Sequence, residues 1–218
     1  MTPALEIVDV SMSHRHDGYE IPALRGASLE VQPGELVAVI GPQGSGKSAL
    51  ISCAAGLADP DSGWVRVAGT RLDHLSATER TVFRAGHIGL LTRSGLDDTI
   101  SVRQNVDRAQ RVAGRLDPEW REEMFNLMFL TVHASQRPSR LSGGEAVRSR
   151  LAVALANRPG LVLADDPIAE HEQAAERGVL DLLRLQADYG AAVVIASRGS
   201  AVRRVADHVL ELRDTAAV

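Results

Sequence analysis

Of the 24 lysine and arginine positions in this 218-residue sequence only one is lysine, and it stands in Gly41-Pro42-Gln43-Gly44-Ser45-Gly46-Lys47-Ser48. A compact ammonium on a flexible stem reaches phosphate oxygens as a rotatable point charge, whereas a guanidinium meets them as a rigid planar fork. An ammonium kept at this one position points to a bound nucleotide. The spacing fits G-x-x-x-x-G-K-[ST], in which backbone N–H groups cradle phosphates, Lys47 reaches the β and γ groups and the Ser48 hydroxyl holds Mg²⁺.

Such a loop works only between a strand and a helix whose N-terminus faces the anion. Residues 35–40 read as a short buried strand and residues 48–55 as a helix, so both supports are predicted. Strands are also predicted at 5–10 and 27–31, with Pro33-Gly34 turning into the phosphate-loop strand. Residues 64–68 alternate like a half-buried antiparallel strand closed by Gly69, and 87–91 read as a further strand. Residues 101–129 read as helical, with Val102, Val106, Ala109 and Ala113 on one face and Asp117-Pro118 opening a second helix. A helix at 143–156, an apolar strand at 161–164, a helix at 172–187, an apolar strand at 191–196 and a closing strand at 208–212 complete the pattern. Apolar strands alternating with helices predict an α/β fold with a mostly parallel sheet covered on both faces, and the all-helical middle reads as an inserted lobe.

Composition bounds the function. A hydrophobic share of 44% lets the chain bury one full core, and the single Cys53 excludes an internal disulfide and a thiolate metal cluster. Net charge −4 and 3% aromatic residues argue against a nucleic-acid surface, which needs a basic face and stacking rings. No apolar run approaches the roughly 18 residues that span a bilayer, and no secretion signal is present, so a cytosolic protein is expected.

Two further segments set the family. Leu141-Ser142-Gly143-Gly144-Glu145 opens a helix, and Leu161-Val162-Leu163-Ala164-Asp165-Asp166-Pro167 is a strand ending in two carboxylates. With the phosphate loop, and in this order, they resemble the nucleotide-binding domain of ATP-binding cassette (ABC) proteins over nearly the whole chain. Residues 23–31 and Arg103-Gln104-Asn105-Val106 look most like the group serving macrolide export, lipoprotein release and cell division. The resemblance implies a single P-loop ATPase domain: an antiparallel β lobe mainly at 1–34 and 62–70, a core at 35–61, 71–93 and 157–218, and a helical lobe at about 94–156. It implies ATP and Mg²⁺ as cofactors, with Ser48 and Asp165 on the metal. It also implies that residues 141–145 meet the γ-phosphate held by a second subunit, which fits the anion-binding character of glycine amides at a helix N-terminus.

The departures from the family pattern cluster at the hydrolytic centre. Where the family places a glutamate as general base this chain has Asp166, one methylene shorter, which puts at risk the roughly 10²–10⁴-fold contribution of such a base. Where it places a histidine on the γ-phosphate stands Arg198, a permanent cation. Its glutamine after the strand at 87–91 falls at Thr92 or Arg93, neither of them glutamine. The stretch Ile168-Ala169-Glu170-His171-Glu172 lacks the usual Leu-Asp ending. The adenine-stacking aromatic falls at His14, with Tyr19 as a rival.

The resulting expectation is a cytoplasmic ATPase subunit, peripheral on the inner face of the cell membrane, that dimerises around Mg·ATP to drive or gate a separate integral membrane permease. Its own site is expected to bind ATP and hydrolyse it slowly, either beside a different, competent ABC subunit or as a slow homodimer. The alternative is a non-catalytic ATP-sensing scaffold signalling through a membrane partner.

Overall fold

The computed structural model describes residues 2–16, 19–168 and 175–212, the side chains of Arg15 and His16 excepted. Strands β1 (Leu5–His16) and β2 (Tyr19–Val31) pair as a long antiparallel hairpin. They run well beyond the expected 5–10 and 27–31 because a bulge re-phases the alternation. Asp9 takes a φ of +50°, its N–H donates to Ser28 Oγ at 3.0 Å, and the Gly26 N–H donates to Ser11 Oγ at 3.0 Å.

After the hairpin, β3 (Leu36–Ile40) leads into α1 (Lys47–Ala54), and β4 (Ser62–Val67) and β5 (Thr70–Arg71) complete an antiparallel sheet of order β2-β1-β4-β5. Helix α2 (Ala77–His87) was not anticipated. A capping box marks its start, Ser76 accepting from the Glu79 N–H while Glu79 accepts from the Ser76 N–H at 2.9 Å. His87 therefore ends a helix, and the strand that follows is β6 (Ile88–Thr92).

The middle segment forms α3 (Val102–Val112), α4 (Pro118–Leu127) and α5 (Gly143–Ala154). Ser101, Asp117 and Ser142 cap them. Gln110, fully buried, ties these helices together: its amide donates to the carbonyls of Asp117 at 3.2 Å and Ala156 at 3.1 Å, and its oxygen accepts from Asp117 N–H at 3.0 Å. Every polar atom of that side chain is partnered, so its burial stabilises rather than costs.

The chain closes with β7 (Leu161–Asp165), α6 (Glu176–Asp188), β8 (Ala192–Ser197) and β9 (His208–Glu211). Residues 169–174, which include the expected start of this helix and most of the altered 168–172 stretch, lie outside the described residues. The second sheet has order β6-β7-β8-β3-β9, all pairs parallel. Alternate residues of β3 enter opposite cores, Leu36 and Ala38 packing with Phe125, Leu151 and Leu183, and Val37 and Val39 with Leu50, Ile51 and Val65. Burial on both faces explains why these strands read as unbroken apolar runs. It also leaves the C-terminal ends of β6, β7, β8 and β3 open to polar groups.

Candidate functional site

The phosphate loop leaves β3 at that edge and enters α1. Gly46 has φ +90°, and a Cβ there would lie 2.1 Å from the Ala23 carbonyl oxygen, so β2 presses directly on the loop. Gly41 is as tightly closed, with the Leu212 carbonyl 2.4 Å from where its Cβ would be. Gly46→Ala is therefore expected to cost stability, about 1–2 kcal/mol from the backbone conformation alone, and to displace the loop. Thermal melting with ATP titration checks both effects.

Within this loop the Lys47 ammonium donates to the carbonyls of Gly41 at 2.8 Å and Pro42 at 2.7 Å and to Ser45 Oγ at 3.3 Å. Burial lowers its pKa against the fields of Asp166 and Asp165, which favour the charged form, while Arg198 adds to the lowering. The loop thus holds its cation on its own carbonyls. Ser48 Oγ donates to Asp165 Oδ1 at 3.0 Å. A hydroxyl and a carboxylate brought together at the mouth of a phosphate loop are the hard oxygen donors that Mg²⁺ takes, the rest of its shell coming from phosphate and water. Burial pushes the Asp165 carboxyl above its usual range, an effect that a bound cation would reverse.

Next to Asp165, Asp166 sits at φ +41° with its N–H bonded to the Ala196 carbonyl at 2.8 Å. Its side chain is already engaged. Arg93 Nη2 pairs with Asp166 Oδ2 while Arg93 Nε donates to the Asp166 carbonyl at 3.1 Å, and Arg198 Nη2 lies 3.5 Å from the same Oδ2. Thr92 turns away and donates to the Ser94 carbonyl, so of the two candidates for the glutamine position it is Arg93 that faces the site. The three groups meet because β6, β7 and β8 are in register, Thr92 beside Asp165 and Asp165 beside Ala196. This double ion pair was not anticipated. Arg150, which the sequence reads as part of a solvated helix face, is instead buried in α5, where it donates to the Pro167 carbonyl at 3.2 Å and steadies the turn that carries Asp166.

These residues open onto a cleft of about 420 Å³, floored by Gly44, Gly46, Lys47 and Ser48. The far wall comes from the hairpin, with His14, Ile21, Pro22 and Ala23. His14 thus borders the cleft, while Tyr19, 77% exposed, lies outside its lining.

Residues 141–145 do not join this cleft. Ser142 is the N-cap of α5, its Oγ accepting from Glu145 N–H at 3.4 Å and its N–H donating to Glu145 Oε2 at 2.8 Å. The Ser142 N–H donating to the carboxylate holds the Glu145 carboxyl below its usual pKa, and His133 Nε2 stands 3.3 Å from Glu145 Oε1. Gly143 and Gly144 follow as the first helical residues, whose N–H groups have no acceptor inside their own helix. Within one chain this helix N-terminus is unconnected to the Lys47 cleft.

A phosphate loop between strand and helix, a parallel sheet with acidic residues at its C-terminal edge, an antiparallel sheet against the loop and a helical segment opening on a glycine-capped helix define an ATP-binding cassette. Residues 24–169 match the ABC transporter family, and the chain belongs to it as an ATP-binding ATPase subunit. It is 36% identical over 217 residues to the lipoprotein-releasing system ATP-binding protein LolD of Novosphingobium aromaticivorans, covering 97% of each chain. Identity is also 36% to LolD 2 of Caulobacter vibrioides, over 97% of this chain and 95% of that one. Among solved structures it resembles the dimeric form of MJ0796, a bacterial ABC transporter cassette, with a TM-score of 0.88 at 27% identity over 96% of this chain and 94% of that one. A post-hydrolysis dimer of MJ0796 bound to ADP and Pi gives a TM-score of 0.86.

Proposed function

We propose that this cassette binds Mg·ATP in the Lys47 cleft, closes head to tail on a second cassette through residues 141–145, and passes that closure to a separate membrane permease while turning ATP over slowly. The observation that carries the slow turnover is the engagement of Asp166 by both Arg93 and Arg198. A carboxylate whose Oδ2 is held by one guanidinium with a second beside it is not free to turn toward an attacking water. Two permanent cations beside it also favour bound phosphate over its release.

The remaining roles follow from each residue's place. Lys47 would exchange the Gly41 and Pro42 carbonyls for β- and γ-phosphate oxygens, and the loop amides would cradle the chain of phosphates. Ser48 and Asp165 would hold Mg²⁺, which when bound offsets phosphate charge. His14 would stack on the base across the cleft from the loop. The permease and the position on the inner face of the cell membrane draw support from the lipoprotein-releasing relatives. Among the described residues no helix is long and apolar enough to cross a bilayer.

The test is steady-state phosphate release by the purified chain with saturating Mg·ATP, alongside equilibrium ATP binding. ATP binding with turnover well below roughly 1 s⁻¹, the low end for ordinary enzymes, is expected. Turnover at or above that rate would remove the slow-site reading.

A further inference from the structure

Five charged side chains line the phosphate end of the cleft: Lys47, Arg93 and Arg198 against Asp165 and Asp166, three positive and two negative, a net +1 before any ligand enters. Arg93, Asp166 and Arg198 each stand one residue beyond the end of β6, β7 and β8, three neighbouring strands in register. The two guanidiniums thus flank one carboxylate. Neither is locked in place: their side chains are 47% and 46% exposed, and the Asp166 side chain is 29% exposed.

A pair this exposed is worth little as a stabilising contact. Each guanidinium carries five N–H donors, so its contact with Asp166 leaves donors over for a second acceptor. Phosphate oxygens offer those donors an acceptor with more charge and the spacing for bidentate bonds. We propose that on ATP binding Arg93 and Arg198 turn their remaining donors to the phosphates while staying beside Asp166, and supply there the two positive charges a divalent cation would bring, so that this site takes metal-free nucleoside triphosphate nearly as well as the magnesium complex. The proposal rests on the cleft being the nucleotide site and not on the rate of hydrolysis.

Calorimetric titration of the full chain with ATP, once with excess Mg²⁺ and once with EDTA, tests it. The expected ratio of the two dissociation constants is within about 3-fold, since two charge-assisted contacts replace the ion. The Arg93→Gln, Arg198→Gln chain is expected to lose about 10-fold or more in EDTA and clearly less with Mg²⁺ present. Asp166→Asn, which frees both guanidiniums without removing either, is expected to tighten binding in EDTA. A loss of more than about 10-fold on chelation in the unmodified chain overturns the proposal, as does an equal loss by the double variant in both buffers. Melting curves without nucleotide establish that each variant is folded. Lys47→Ala separates the two readings: unchanged ATP affinity in that variant removes the nucleotide from the cleft, whereas metal-dependent binding that vanishes with Lys47 keeps the cleft and sinks only the metal-free site.

Discussion

The triple substitution Asp166→Glu, Arg93→Gln, Arg198→His is expected to raise ATP turnover by about 10²-fold or more, the scale at which a positioned general base contributes. Each change removes a separate obstacle. Glutamate restores the methylene that brings a carboxylate out to the attacking water. Glutamine removes the guanidinium that bonds both the side chain and the carbonyl of Asp166. Histidine removes the second cation, 3.5 Å from the same oxygen. Because all three act on one carboxylate, their effects are coupled rather than additive. Asp166→Glu alone is expected to give a small gain, since Arg93 can follow the longer side chain and hold it as it holds Asp166. Single-turnover and steady-state phosphate release on the single, double and triple variants measure the coupling. A triple variant no faster than Asp166→Glu alone removes the ion pair as the cause of slow turnover.

Much of the site was legible from local spacing. The phosphate loop is eight consecutive residues with a strand before and a helix after, and Ser142 with Glu145 is a capping pair three residues apart. Such features depend only on neighbours in the chain, which is why they survive from sequence to structure. The start of α2 was legible in the same way, since Ser76 and Glu79 form an equal pair ahead of an amphipathic stretch, but the polar surface of that helix hid it: none of its residues is buried. The Arg93 to Asp166 pair was not legible. The two residues are 73 positions apart and meet only through the register of β6 and β7. Of Thr92 and Arg93, between which gap placement left the glutamine position open, it is Arg93 that lines the cleft. The length of the first hairpin escaped for a third reason, the bulge at Asp9, which shifts the pairing of alternate residues. As a result the extension that carries His14 to the cleft lost its period-two signal.

Ser142→Arg and Gly143→Asp are each expected to abolish ATP-dependent closure with a second cassette while the single chain keeps its fold and its affinity for nucleotide. The fold survives for reasons visible in α5. Ser142 is a cap, and losing a serine cap costs typically about 1 kcal/mol. Gly143 is the first helical residue, where an acidic side chain interacts favourably with the helix N-terminus, so Gly143→Asp leaves the helix at least as stable. Nucleotide affinity survives because neither residue lines the cleft around Lys47. Closure fails because the same N-terminus is where the partner's γ-phosphate would be received: arginine adds bulk against the incoming surface, and aspartate sets a negative charge against a negative ligand. Turnover as slow as proposed would help the measurement, since an ATP-bound pair would persist long enough for sedimentation with and without nucleotide. Loss of ATP binding by the monomeric variants would place residues 141–145 within their own chain's nucleotide site, and the assignment of this segment to a partner would fall with it.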